Sequence, residues 1–168
     1  DQSKLSSFNL SFADTIKTYT SQEITQSPFG VQYNGMPFHT NAEYDSFNHE
    51  NLLQHIPVAA QAASDLGVKW ARVSVDWSSI EDNAGTFHWE ILDGIVNELT
   101  RRDIEIYLCL HGGHRIHTDF RPPVSEQELE SWGNYVESTV QRYSSKIDYW
   151  EIWNEPNIYP EWGERNVD

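Results

Sequence analysis

The sequence predicts an α/β protein built on a parallel sheet, and two patterns support this prediction. Short apolar runs of strand length alternate with longer segments whose apolar residues recur at helical spacing, giving four strands separated by three helices. Such alternation is typical of parallel strands joined by right-handed helical crossovers. The connections also differ in length, because helix-to-strand links are tight whereas strand-to-helix links run over 34–51, 78–89 and 112–124.

The elements are assigned in order from their periodicity. Strands are predicted at 29–33, 68–77, 104–110 and 147–153. The first helix is predicted at 52–66, with its regular part starting near Ile56 because Pro57 is favoured in a first helical turn. The second helix is predicted at 90–102.

The third helix has the clearest start signal in the chain. Ser125 and Glu128 have the spacing of a capping box, in which each side chain bonds to the other residue's backbone. The predicted apolar stripe of this helix consists of Leu129, Trp132, Val136, Val140 and Tyr143. Residues 1–27 are rich in Ser, Thr and Gln, so we interpret them as an N-terminal extension.

The long connections indicate where a ligand binds. All of them leave the C-terminal ends of strands, and in parallel α/β folds that edge carries the ligand site. A doubly wound sheet is an alternative, but no Gly-rich phosphate-binding turn follows the first strand.

Composition excludes several classes of partner. The 168 residues are enough for one domain, and their net charge of −15 argues against nucleic acid and anionic membranes, which need a basic surface. No apolar stretch approaches the length of a membrane span. The single cysteine, Cys109, permits no disulfide within the chain. The 13% aromatic share fits either core packing or platforms for sugar rings.

Polar side chains lie towards the ends of the predicted strands. Because side chains alternate along a strand, Arg72, Ser74 and Asp76 share one face, and Glu151, Trp153 and Glu155 share a face opposite Ile152 and Asn154. Arg72 needs an acidic partner such as Glu151 or Glu155, in either a structural or a functional ion pair. Pro156 favours extended geometry at Glu155, which predicts that this residue ends the strand at the rim. Asn154 reaches the same rim if the strand end is bulged.

Three segments together resemble a known group of enzymes. They are WNEP at 153–156, GVKWARVSVDWSSIE at 67–81 and IEIYLCLHGG at 104–113. The combination resembles the retaining glycoside hydrolases of clan A, most of all family 39 and then family 5. The resemblance implies the first half of a (β/α)8 TIM barrel, with parallel strands one to four and intervening helices. Residues 28–168 would form this N-terminal half, after the extension at 1–27.

The resemblance also implies roles for residues. Retaining glycosidases use two carboxyl groups about 5–5.5 Å apart, one as nucleophile and one as acid/base. Glu155 would be the acid/base and Asn154 would hold the sugar's 2-hydroxyl. The other expected substrate-binding residues are Arg72, His111, Trp77, Trp153 and Trp162. The nucleophile would lie outside this chain, on a second half of the barrel in the same longer chain or in a separate one.

The resemblance also implies a function for the intact protein, to which the sequence leaves two alternatives. The intact protein is expected to be a secreted or periplasmic glycosidase acting on a poly- or oligosaccharide, with no cofactor, and the 168-residue chain alone is expected to be inactive. One alternative is a non-catalytic carbohydrate-binding half-barrel or pseudo-enzyme. The other is a zinc site at His111, His114 and His117, but their spacing in a Gly-containing loop gives no shared face, so no metal is expected.

Overall fold

A computed structural model describes residues 19–33 and 46–157 of the chain. The strand-and-helix alternation is confirmed. The main elements are β1 (Gly30–Tyr33), α1 (Ser46–Asp65), β2 (Trp70–Asp76), α3 (Glu90–Thr100), β5 (Glu105–His111), α4 (Glu126–Tyr143) and β6 (Tyr149–Ile152). The connection between β2 and α3 contains the short elements α2 (Trp77–Ile80), β3 (Glu81–Asn83) and β4 (Thr86–Phe87).

The order of the strands distinguishes a barrel-like sheet from a doubly wound one. The sheet has the order β1-β2-β5-β6, and each neighbouring pair is parallel. Each new strand therefore adds on the same side of the sheet, as in a barrel, whereas a doubly wound sheet reverses direction at its switch point.

The two faces of this sheet differ as the alternation predicted. Val73, Val75, Leu108 and Leu110 are fully buried and form one core with the inward faces of α1, α3 and α4. On the opposite face Arg72, Ser74, Tyr107 and Glu151 remain partly exposed. In a closed barrel such a face lines the interior.

Helix α1 begins earlier than predicted. It starts at Ser46, so Pro57 lies inside the helix and not in its first turn. Pro57 has no N–H to bond to the carbonyl of Leu53, which is the usual reason for a helix to break. The packing of Ile56, Ala60 and Ala63 in the core compensates for that lost bond.

The connection at 78–89 was predicted as a loop and is more ordered than that. Asp76 caps α2 by accepting a hydrogen bond from the backbone N–H of Ser78 at 2.9 Å. Glu81 then begins the antiparallel pair of β3 and β4. These elements are shorter than the stretch of sequence over which apolar periodicity can be recognised, so the sequence pattern could not predict them.

The capping box of α4 is confirmed, whereas its predicted stripe is partly wrong. Ser125 Oγ accepts from Glu128 N at 3.3 Å, and Ser125 N donates to Glu128 Oε2 at 2.8 Å. The residues that α4 buries fully are Tyr135, Thr139 and Tyr143, while Leu129 is 50% exposed. The face of α4 that carries Tyr135 points into the core, where the Tyr135 hydroxyl donates to the Val75 carbonyl at 3.1 Å.

Part of the segment preceding β1 contacts the sheet and α1. Ser21 is fully buried, and its backbone N–H donates to the Ser64 carbonyl at 2.9 Å. Lys69 Nζ donates to the Ser21 carbonyl at 3.0 Å. Among the residues described, no helix is both long and apolar enough to cross a membrane.

Candidate active site

The C-terminal ends of three parallel strands bring the predicted site residues to one edge of the sheet. Asp76 ends β2 and pairs in register with His111, which ends β5. The register of β6 on β5 pairs Leu110 with Ile152, and the segment carrying Asn154 and Glu155 follows directly. The sequence therefore predicted correctly which strand ends meet, and of the predicted site residues this edge holds His111, Asn154 and Glu155.

Arg72 lies at the centre of the polar network on the open face. Its Nε donates to Glu151 Oε2 at 2.8 Å, and its Nη1 donates to Gln32 Oε1 at 2.9 Å and to Ser74 Oγ at 3.0 Å. Its Nη2 donates to Asn154 Oδ1 at 3.0 Å. One guanidinium thus joins β1, β2, β6 and the segment after β6.

The Arg72–Glu151 pair is ionised on both sides. The hydrogen bond from Arg72 lowers the pKa of Glu151, and the same bond raises the pKa of Arg72. Their side chains are 25% and 26% exposed, so water still reaches the pair. Of the acidic partners considered for Arg72, Glu151 is the one to which it bonds.

Burial raises the pKa of two groups beside Arg72 and Glu151, the Tyr107 hydroxyl and the Cys109 thiol. Desolvation raises the pKa of the Tyr107 hydroxyl, and the charge of Glu151 adds to this effect. Desolvation also raises the pKa of the fully buried Cys109 thiol to about 12. Both side chains are therefore neutral at ordinary pH and leave Glu151 and Arg72 as the charged groups at this position.

The predicted extended geometry at the end of β6 is wrong. The strand ends at Ile152, and both Trp153 (φ 71°) and Glu155 (φ 48°) have left-handed backbone conformations. The left-handed conformation at Trp153 turns Asn154 towards Arg72. Strict alternation of side chains had predicted that Asn154 and Glu151 point to opposite faces of the sheet. Such conformations cost free energy in bulky residues and persist only where surrounding contacts enforce them. Here the contacts are the Arg72–Asn154 bond and a 2.7 Å bond from Trp153 N to the Leu110 carbonyl.

Glu155 has the accessibility that a group acting on a bound ligand needs. Its side chain is exposed at the rim, and Asn154 Nδ2 approaches its Oε2 at 3.5 Å. Asn154 itself is half-buried. The conditional prediction that Asn154 reaches the same rim through an irregular strand end agrees with this geometry.

His111 lies at the same edge and is followed by a glycine that the structure requires. Gly112 has φ 90°, and a Cβ there would lie 2.1 Å from Asp76 Oδ2. A side chain at position 112 would therefore have a strained backbone and would displace the Asp76 carboxylate, which bonds to Ser78 N. His111 is partly exposed beside it.

Two of the aromatic residues predicted to stack on sugar rings have no exposed ring face. Trp77 is fully buried, stacked on His117 at 5.1 Å and on Tyr135 at 5.9 Å between ring centroids. Trp153 is 5% exposed and packs against Trp132. That prediction was wrong for both, because the residues after β2 and β6 turn inward under α4. Trp162 lies outside the described residues.

Glu81 is a buried carboxyl group that the sequence pattern did not indicate. It is 3% exposed, and its Oε2 accepts from Trp77 Nε1 at 2.6 Å. Its Oε1 accepts from Gly85 N at 2.5 Å and bonds to His117 Nε2 at 3.1 Å. The signal in the sequence was the spacing of Trp77 and Glu81, four residues apart like partners on one helix, but Glu81 was read as part of a loop.

His114 is bound to the backbone of the same residue. Its Nε2 lies 2.7 Å from the Glu81 carbonyl, while its Nδ1 accepts from Ile116 N at 3.2 Å. This pattern fits a neutral ring that carries its proton on Nε2. Burial lowers the pKa of His114, which is 1% exposed. His114 and His117 are thus engaged with Glu81, and the described part of the chain holds no cluster of metal-binding side chains.

The open face of the sheet carries a cavity of about 410 Å³. Its lining includes Trp70, Arg72, Tyr107 and Tyr149, with Gln32 at one side. The Trp70 and Tyr149 rings meet edge to face at 5.1 Å across it. This cavity lies on the face that a closed barrel would enclose.

Comparison with known proteins agrees with the fold described above. Residues 44–115, less than half of the chain, match a family model described as beta-galactosidase (glycoside hydrolase 42). The chain is similar in structure to a beta-glycosidase from Pyrococcus horikoshii, with 19% identity and a TM-score of 0.56 over 76% of this chain and 34% of that one. The fold is that of a partial α/β barrel, as in these solved structures.

A second solved structure supports the same fold. A family 39 glycoside hydrolase from the gut symbiont Bacteroides cellulosilyticus matches with 17% identity and a TM-score of 0.50, over 69% of this chain and 24% of that one. The partial barrel therefore spans about a third or less of these structures. The resemblance to clan A is confirmed, whereas its assignment to family 39 in particular stays a prediction.

Proposed function

We propose that the protein carrying this partial barrel is a retaining glycoside hydrolase in which Glu155 is the acid/base. The observation that carries the proposal is the contact of Arg72 with Asn154, which holds a side-chain amide beside the exposed Glu155 carboxyl at the rim. Protonation of a glycosidic oxygen requires a carboxyl group within reach of the bound substrate, and the exposed Glu155 side chain at the rim meets that requirement.

In this mechanism Glu155 protonates the leaving oxygen while a second carboxylate forms the glycosyl–enzyme bond. Glu155 then takes a proton from water, which attacks the same carbon and releases the sugar. Glu151 is not assigned the nucleophile's role, because it lies within β6 and not at the rim where Glu155 is exposed. We therefore place the nucleophile outside residues 1–168, in further strands of the barrel supplied by the same longer chain or by a separate one.

Arg72 and Asn154 have defined parts in this proposal. The bonds described use four of the five N–H groups of Arg72, and the fifth, on Nη2, would bind the nucleophile and keep it ionised. Asn154 would donate to the 2-hydroxyl, and His111 would contact another hydroxyl. The substrate class is a β-linked oligo- or polysaccharide, and we place the protein in a secreted or periplasmic compartment.

The test uses the full-length protein with aryl β-glycosides. Glu155→Ala is expected to lower kcat by roughly 10²- to 10⁴-fold, the usual contribution of general acid–base catalysis. Added azide, which needs no general base, is expected to restore turnover and to yield a glycosyl azide. The matched control is Glu130→Ala, which removes an exposed carboxylate of α4.

Two results would contradict the proposal. If Glu155→Ala turned over as fast as Glu130→Ala, Glu155 would not be the acid/base. Saccharide binding by the unmodified protein with no turnover would favour the non-catalytic carbohydrate-binding alternative.

A further inference from the structure

The planar guanidinium of Arg72 links two residues that do not bond to each other. Glu151 holds Nε on one edge, and Asn154 accepts from Nη2. Because the donors of a guanidinium have a rigid fork geometry, fixing the group at Nε also fixes the direction of Nη2. Gln32 and Ser74 complete the restraint by accepting from Nη1.

This arrangement determines how the Asn154 amide is turned. Arginine has donors and no acceptor, so the Asn154 atom that faces Arg72 has to be Oδ1. The oxygen and nitrogen of the amide are thus assigned by chemistry, without reference to hydrogen positions. Nδ2 consequently points to the rim and to Glu155, and Asn154 offers a ligand only N–H donors there.

We propose that Glu151 is a positioning residue, which acts through Arg72 to hold the Asn154 amide in its donor-outward orientation beside Glu155. The catalytic consequence rests on the proposed function, whereas the orientation itself does not. Any ligand atom that bonds to Asn154 at this rim then has to be a hydrogen-bond acceptor, such as the oxygen of a hydroxyl.

A simple structural ion pair explains the geometry less well. An ion pair alone accounts for the bond between Arg72 Nε and Glu151 Oε2 and for none of the other bonds of Arg72. A structural pair also needs no third partner, yet Arg72 reaches a residue whose preceding backbone is left-handed at Trp153. That backbone turn is what brings Asn154 to Arg72 from the face where alternation would have placed it.

The first test measures kinetics of the full-length protein. Glu151→Gln keeps the shape and removes the charge, and the matched control Asp93→Asn removes the carboxylate of another arginine pair, Arg142–Asp93, on the helical layer. We expect Glu151→Gln to lower kcat by about ten- to a hundredfold, as misplacement of a catalytic group does, with little change in KM. Asp93→Asn is expected to leave kcat within about twofold.

A double-mutant cycle separates positioning from general destabilisation. In an Asn154→Ala background Glu151→Gln is expected to change kcat by less than about threefold, because the residue through which it acts is gone. Equal effects of Glu151→Gln in the two backgrounds would overturn the proposal. So would a Glu151→Gln variant with the kcat of Asp93→Asn.

A crystal structure of the Glu151→Gln variant tests the orientation without relying on activity. The Arg72 Nη2–Asn154 Oδ1 contact is expected to be lost or the amide rotated, whereas Asp93→Asn keeps the contact at 3.0 Å. If the unmodified protein hydrolyses no glycoside, the proposed function fails, and the crystal structure of the variant alone tests the positioning role. An unchanged Arg72–Asn154 contact in Glu151→Gln then refutes that role. If Glu151→Gln does not fold, Glu151→Asp, which keeps the charge with a shorter reach, replaces it in both tests.

Discussion

The indole Nε1 of Trp77 donates a 2.6 Å hydrogen bond to Oε2 of Glu81, and both residues are shielded from solvent. Glu81 in turn bonds to Gly85 in the β3–β4 turn and to His117 in the connection after β5. A single buried carboxylate therefore joins two of the connections that surround the candidate active site.

Replacing Trp77 by Phe tests the value of this bond. The variant keeps an aromatic ring for the stack on His117 but leaves Glu81 Oε2 without its donor, which we expect to cost about 1–3 kcal/mol of unfolding free energy. Denaturant-induced unfolding of the full-length protein measures this. Trp89→Phe, at a ring that stacks on Phe87, is the matched control and is expected to cost less. Equal losses would show that the indole N–H contributes nothing specific.

The buried His114 predicts a dependence of stability on acid. Its pKa is lowered by burial, with Glu81 opposing the shift and His117 and Arg115 adding to it. Below about pH 6.5 the unfolded chain binds a proton at this position that the folded chain does not bind. Stability is therefore fully present above pH 6.5 and falls as the pH drops through the folded pKa.

Variants of two histidines check this contribution. His114→Gln retains a side-chain N–H for the Glu81 carbonyl and cannot titrate, so its unfolding free energy is expected to vary less between pH 6.5 and 5 than that of the unmodified protein. The control His55→Gln changes an exposed histidine of α1 and is expected to leave the pH profile unaltered. A His114→Gln profile that retains the full slope would contradict the assignment.

Gly112→Ala is expected to be severely destabilising. The new Cβ would collide with the Asp76 carboxylate in addition to having an unfavourable φ, so we expect a loss of about 3 kcal/mol or more, measured by chemical unfolding. Gly85→Ala separates the two causes, because Gly85 also has a positive φ but no atom within 4 Å of its added Cβ. Its expected cost is about 1–2 kcal/mol. Similar losses for the two variants would rule out the collision.

Ser125→Ala removes one half of the capping box of α4. We expect the unfolding free energy to fall by about 1 kcal/mol, because Glu128 N loses its acceptor at the helix start. Thermal or denaturant unfolding measures this. Ser131→Ala is the matched control within the same helix, where its hydroxyl bonds back to the Gln127 carbonyl, and we expect it to be neutral or slightly stabilising.

The sequence was sufficient for those features that depend on local periodicity. The alternation of β2 and β5, the cap at Ser125 and the meeting of strand ends near Asp76 and His111 all follow from neighbouring residues, and all were predicted. The features that were missed depend on distant contacts. Helix α1 continues through Pro57 because of core packing, and the turn at Trp153 depends on a side chain from β2.

Trp77 shows why the site was predicted less well than the fold. An aromatic residue after a strand is equally consistent with a surface that stacks on a sugar ring and with a position in the core. Only the contacts of Trp77 with Tyr135 and His117 distinguish the two. Glu81 was missed although Trp77 and Gly85 each lie four residues from it, because its third partner, His117, comes from a distant connection.

The shared carboxylate of Glu81 has a consequence for how substrate preference in such a protein can change. Residues 77–87 and 112–121 cannot be exchanged independently, since a graft of either segment would leave the buried Glu81 carboxyl or its donors without partners. Engineered loop exchanges in this barrel are therefore expected to give a folded protein only when both segments are replaced together, and the two segments are expected to vary together in nature.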